Sequence, residues 1–183
     1  MMRIFAGALM AMLSLTSIHA MAQGAVTATE DGVRTALSGY HDAPGAEYWA
    51  GLEPESARRV LLNLSSNPDE MIHIRTRATI ALSNYPSERV KEYLFERAEK
   101  EQRGYVRAAV IRSLSRVAGK EALPVLTKAL SDKDGVVKLS AIRSLPEVGG
   151  QEAYQALKSG SQAEKDAAAV DAYQRSLNIM EGY

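Results

Sequence analysis

The chain of 183 residues contains no cysteine, one tryptophan, two phenylalanines and three histidines, and its charges cancel. The missing cysteine removes disulfide bridges, thiolate metal sites and an acylated lipoprotein cysteine together. With 22 basic against 22 acidic residues, there is none of the basic excess that a general nucleic-acid binder carries. Histidine is confined to His19, His41 and His73. His41-Asp42 is an adjacent pair of the type metal phosphohydrolases use, but no H-x-x-x-H or H-E-x-x-H spacing accompanies it, so it reads as loop decoration. No G-x-S-x-G, P-loop or glycine-rich strand-to-helix turn is present, and no histidine is framed as partner to a serine nucleophile. The sequence therefore reads as a non-enzyme, with no catalytic, cofactor-binding or metal-binding residue and no cofactor.

What is there begins with a leader. Arg3 supplies a positive end, Ile4–Leu15 is an apolar run, and Ala20-Met21-Ala22 fits an A-x-A cleavage site. No acidic residue precedes Glu30. Ser14, Thr16, Ser17 and His19 interrupt the run too early for a membrane span. The expectation is a signal peptide over 1–22, cleaved after Ala22, and a periplasmic or secreted protein with no span in its mature form; an uncleaved anchor is the alternative. The rest divides into an N-terminal cap segment, 23–53, and a continuous domain, 54–183.

That domain is built on a repeat. Val106–Leu114 reads VRAAVIRSL, and thirty-one residues on, Val137–Leu145 reads VKLSAIRSL. Positions 1, 5, 8 and 9 of this nine-residue frame, apolar except for a small serine at 8, fall on one face at 3.6 residues per turn, so each copy is an amphipathic helix. Ala109, Ser113, Ser140 and Ser144 are small enough to let a neighbouring helix approach closely. Ile74–Leu82 fits the frame thirty-two residues earlier, and Lys165–Tyr173 reads as a weaker fourth copy, twenty-eight residues after the third. A further apolar helix precedes each copy: Ala57–Leu64, Val90–Ala98, Leu123–Leu130 and Ala153–Leu157. A two-helix unit recurring at this spacing is the signature of an α-solenoid.

The run V-[RK]-x-x-A-[VI]-R-S-L with a glycine-terminated turn resembles HEAT repeats of the short bacterial type, found also in phycobilin-lyase-like proteins. The resemblance covers about residues 52–180. It departs at Val110, where alanine is the usual residue, and at Lys165. It implies an all-α fold, a short α-solenoid of about four two-helix repeats with an N-terminal capping helix. It also implies that the second helices line the concave side.

Punctuation supports this order. Thr29-Glu30-Asp31 starts a short helix through Val33, Leu37 and Tyr40. Pro54 suits a first helical turn, and Gly119 and Gly149-Gly150 suit helix ends. Pro146 should end or kink its helix. Gly160–Lys165 reads as the last turn, before a helix from Asp166 to about Ile179. Tyr48, Trp49 and Leu52 form the one dense aromatic cluster, read as a plug on the open end of the first repeat in preference to an exposed binding spot.

Bases carry the functional expectation. Arg75, Arg107 and Lys138 stand at position 2, and Arg112 and Arg143 at position 7, with Arg77 and Arg116 nearby. Position-2 bases either pair with turn acids such as Asp69, Asp132 and Asp134 or join a basic stripe for an acidic partner. The fourth copy reverses sign, with Asp166 and Asp171 at positions 2 and 7. The candidate partner-binding residues are Arg107, Arg112 and Arg143, in an exported protein-interaction scaffold whose concave face holds a protein partner. Self-assembly through the terminal faces, cued by Leu177, Ile179 and Met180, is the alternative.

Overall fold

In the computed structural model, residues 24–39 and 44–182 are described. The leader at 1–22, Gln23 and the His41-Asp42 pair lie outside the described residues. Among the described residues ten α-helices follow one another: α1 Glu30–Ser38, α2 Ala46–Ala50, α3 Pro54–Ser66, α4 Ile72–Ala81, α5 Glu88–Lys100, α6 Gly104–Ala118, α7 Leu123–Ala129, α8 Gly135–Val148, α9 Gly150–Ala163 and α10 Ala167–Glu181. Short polar side chains start many of them. Thr29 accepts from Gly32 N, Ser87 from Val90 N, Asp134 from Val136 N and Asp166 from Ala169 N, each satisfying a donor the helix cannot use internally.

Pairs α3–α4, α5–α6, α7–α8 and α9–α10 form four hairpins. The second helices α4, α6, α8 and α10 pack on one another in sequence, whereas the first helices barely touch along the array. A curved stack is tightest on its inner side, so the second helices line the concave face. This is the expected short α-solenoid. No helix of the described residues is long and apolar enough to cross a membrane.

The core is the repeat frame made solid. Ile74, Val106, Val137 and Ala169 are buried, and so are Ala81, Ser113, Ser144 and Ser176. That alignment corrects the fourth copy. Its frame is Ala169–Leu177, thirty-two residues after the third, not Lys165–Tyr173. Two hydrogen bonds fix the register: Ser113 Oγ donates to Thr79 O at 2.8 Å, and Ser176 Oγ donates to Ile142 O at 3.0 Å. Both join position 8 of one repeat to position 6 of the repeat before. Asp166 is therefore an N-cap, Asp171 falls at position 3, and Arg175 takes position 7; the expected sign reversal is absent.

Pro146 explains one of these bonds. It lies inside α8, which continues to Val148. Proline has no N–H to give Ile142 O, four residues back, and Ser176 supplies the missing donor. The glycine expectation at 160 also changes. α9 runs through Gly160 to Ala163, and a Cβ at Gly160 would meet Tyr173 Oη at 2.5 Å. Gly160 makes room for a buried tyrosine; the turn is Glu164–Asp166.

At the other end, Trp49 is buried, donates Nε1–H to Pro44 O at 3.0 Å, and stands edge-on to Tyr48 and Tyr85. The aromatic cluster plugs the first repeat. Val26 pairs in extended form with the chain at Gly51 and Glu53, holding the N-terminal segment against the same end.

Candidate functional site

The position-2 bases are consumed in a ladder. Arg75 pairs with Glu101, Arg107 with Asp132 at 2.8 Å, and Lys138 with Glu164 at 2.7 Å. Each joins a second helix to the turn inside the following repeat, at sequence separations of 26, 25 and 26. The acids do double duty. Glu101 accepts from Arg103 N, Asp132 from Asp134 N, and Glu164 from Lys165 N and Asp166 N. One carboxylate thus ties two repeats and satisfies orphan donors where the next helix begins.

The ladder has an earlier rung. Arg34 of α1 bonds Glu70 at 2.9 Å, and Glu70 accepts from Met71 N. Val33-Arg34-Thr35-Ala36-Leu37 matches the start of Val106-Arg107-Ala108-Ala109-Val110, so the capping helix is a truncated second helix. The sequence signal was present but lay beyond the repeat spacing. At the far end, position 2 is Val170, and no further turn follows among the described residues. Asp69 takes no part in the ladder; Glu70 does.

Arg107 therefore sits in the frame, not on a free surface. Its Nε and Nη2 grip Asp132, and its Nη1 donates to Glu101 O at 2.9 Å and Gln102 O at 3.2 Å. Hydrogen bonding to Arg107 holds the Asp132 carboxyl below its ordinary range. Glu164, bonded by Lys138 and then by two backbone N–H groups, is brought down to about 2. A carboxylate lowered by folding contributes stability above its unfolded value and loses it as pH falls through the folded one. Melting temperature is expected to fall between about pH 4.5 and 2 in the wild type, and Glu164→Gln is expected to flatten that slope. Parallel wild-type and variant curves would remove Glu164 from the ladder's pH dependence.

Position 7 is different. It holds Ile80, Arg112, Arg143 and Arg175 on successive second helices. Arg112 and Arg143 are exposed, and among the described residues no carboxylate reaches either. Arg112 has its pKa lowered, first by loss of surrounding water and then by the like charges of Arg116 and Arg143. The arrangement sets guanidinium groups side by side on the concave face. Arg116 reaches Glu147 at 3.4 Å, with both about half exposed, and Arg175 reaches Asp171 within α10 at 2.5 Å. Pairs so exposed hold their partners weakly.

Beside this row, at the plugged end, lies a cavity of about 240 Å3. Leu37, Trp49, Ile80 and Ala81 give it an apolar lining, and Arg116 stands at its rim. Arg77 stiffens the wall by donating to Leu37 O and Gly39 O at the C-terminus of α1, where a cation is favoured. Among the described residues no group of three or more His, Asp or Glu side chains could hold a metal ion.

No curated protein matches the chain. A family model of HEAT repeats matches residues 45–115 and 100–178, two stretches that overlap at α6 and together reach from α2 into α10. HEAT repeats generally mediate protein–protein interaction and are typically non-catalytic. The helical hairpins, the stacked second helices and this match make one finding: the chain belongs to the HEAT-repeat family.

Proposed function

We propose that this protein is an exported, non-catalytic scaffold whose concave face holds an acidic segment of a protein partner. One observation carries the reading. All three position-2 bases of the repeats are paired, while Arg112 and Arg143 stand exposed and adjacent with no carboxylate against them among the described residues. Clustered like charge raises the energy of the free protein, and an acidic partner relieves it. The binding role passes to Arg112 and Arg143, since four of the five N–H donors of Arg107 are already used within the frame. Export rests on the leader pattern of Arg3, Ile4–Leu15 and Ala20-Met21-Ala22.

The test is a pull-down from an envelope fraction using protein from Gln23 onward, beside Arg112→Glu/Arg143→Glu. A specific acidic protein is expected on the wild type, with affinity down more than about a hundredfold in the variant. Among the described residues neither side chain holds an ion pair or hydrogen bond that the change would break, so the melting temperature should hold. Equal retention by both would remove the row from binding. Recovery of nothing but the protein itself would favour self-assembly, for which the exposed Val170 and Ile179 of α10 are the structural cue.

A further inference from the structure

The arginine row does not stand alone: it leads into the apolar cavity at the plugged end. Ile80 of α4 lines the cavity and occupies position 7, the place taken by Arg112 in the next repeat and Arg143 in the one after. Arg116, one turn beyond Arg112 on α6, closes the cavity rim. The concave face therefore reads, from the N-terminal end, as one apolar pocket followed by a line of guanidinium groups.

Resting on the function proposed above, we propose that the partner segment is a peptide extended as polyproline II, anchored by one apolar side chain in the Leu37–Trp49–Ile80–Ala81 cavity, with acidic residues at intervals of about three along the arginine row. The interval comes from geometry. Packed helices lie roughly 8–10 Å apart, and a polyproline-II chain advances about 3.1 Å per residue with about three residues per turn, so each repeat spans about three residues and every third side chain faces the array. Acids at the third and sixth positions from the anchor meet Arg112 with Arg116, and then Arg143. An acid at the ninth meets Arg175, which must leave Asp171.

The size of the cavity favours this occupant. At about 240 Å3 it is smaller than the usual small-molecule site of roughly 300–1,000 Å3, and it suits a single side chain. Its floor is rigid: Leu37, Trp49 and Ala81 are buried in the core, so no ordering of the pocket is needed on binding. An apolar pocket also separates a peptide from other polyanions. Polyphosphate or an acidic polysaccharide could follow the arginines but has nothing to place in the cavity.

Fluorescein-labelled peptides test this in fluorescence anisotropy, each made in both chain directions. The probe has one phenylalanine followed by glutamate at the third, sixth and ninth positions, with serine elsewhere. Controls replace that phenylalanine by serine, or all three glutamates by lysine. The phenylalanine probe is expected to bind about ten- to a hundredfold tighter than its serine counterpart. That difference should vanish in Ser83→Trp, which fills the cavity mouth, and in Ala46→Trp, which fills it from α2, so that one misfolded variant does not decide the matter.

Equal binding of the phenylalanine and serine probes, both lost in Arg112→Glu/Arg143→Glu, would overturn the anchor and leave the acidic-partner reading standing. Polyphosphate competing as well as unlabelled phenylalanine probe would overturn it too. Binding of the glutamate probes no tighter than the lysine control would overturn both readings.

Discussion

Replacing Glu101 by leucine is expected to cost about 3–5 kcal/mol of folding stability, the largest loss from any residue of the ladder. Glu101 is 7% exposed and its partner Arg75 is 5% exposed. Glu101 also bonds Arg97 and accepts from Arg103 N. Removing it strands a buried guanidinium whose charge burial already disfavours; desolvation lowers the Arg75 pKa, and Glu101 is the main opposing influence. Arg75→Leu is expected to cost less, because the carboxylate keeps Arg97 and the backbone donor. The double change Arg75→Leu/Glu101→Leu should recover part of the loss, since two apolar side chains replace a desolvated pair. Urea midpoints at unchanged slope give the comparison. Equal losses for the two single variants would mean that water reaches Arg75 and that the rung is a surface pair.

Much of this architecture was legible because burial repeats. Val106, Leu114, Val137 and Leu145 are apolar at helical spacing and end up fully buried, so pattern and packing carry the same information. The fourth register was misread where side-chain contrast fails. Ala167, Ala168 and Ala169 all suit a small position, and an acid on either side gives no direction. The triplet Arg175-Ser176-Leu177, repeating Arg112-Ser113-Leu114 and Arg143-Ser144-Leu145, held the answer. It was hidden because the spacing was expected to shorten there instead of staying near thirty-two residues.

The ladder was half legible. Pairing of position-2 bases with turn acids follows from charge and helix direction, and Arg107 with Asp132 follows from it. Which acid in a turn is used depends on backbone path: Glu70, not Asp69, faces Arg34, and Glu101 reaches Arg75 from the C-cap of α5. The cavity was not legible at all. It exists because α1 and α2 fold back beside α4, and no periodicity within the repeats encodes a contact between Trp49 and residues 30 or more positions away. The candidate arginines were found by position, while the feature that orders them along the face came only with the third dimension.

A second large effect concerns the middle of the array. Leu145 stands at position 9 of α8, wholly buried, with α6 on one side and α10 on the other. Leu145→Ala is expected to cost about 2–5 kcal/mol through lost burial and the cavity left behind. Its counterpart Leu177 is only half-buried at the last repeat, so Leu177→Ala should cost markedly less. The form of the transition matters more than its midpoint. A repeat array is held by nearest-neighbour interfaces, so weakening one in the middle lets the segments beyond it melt separately. The single tryptophan, Trp49, reports on the N-terminal end alone, whereas circular dichroism reports on every helix. In the wild type the two probes should follow one guanidinium curve. In Leu145→Ala the dichroism is expected to fall first, as α9 and α10 unravel while the plugged end holds. If both signals instead shift together, the interface between the third and fourth repeats carries no separable share of the stability. The chain would then behave as a single globule that happens to be built from repeats, and the pairing of Ser176 with Ile142 would be packing without consequence for cooperativity.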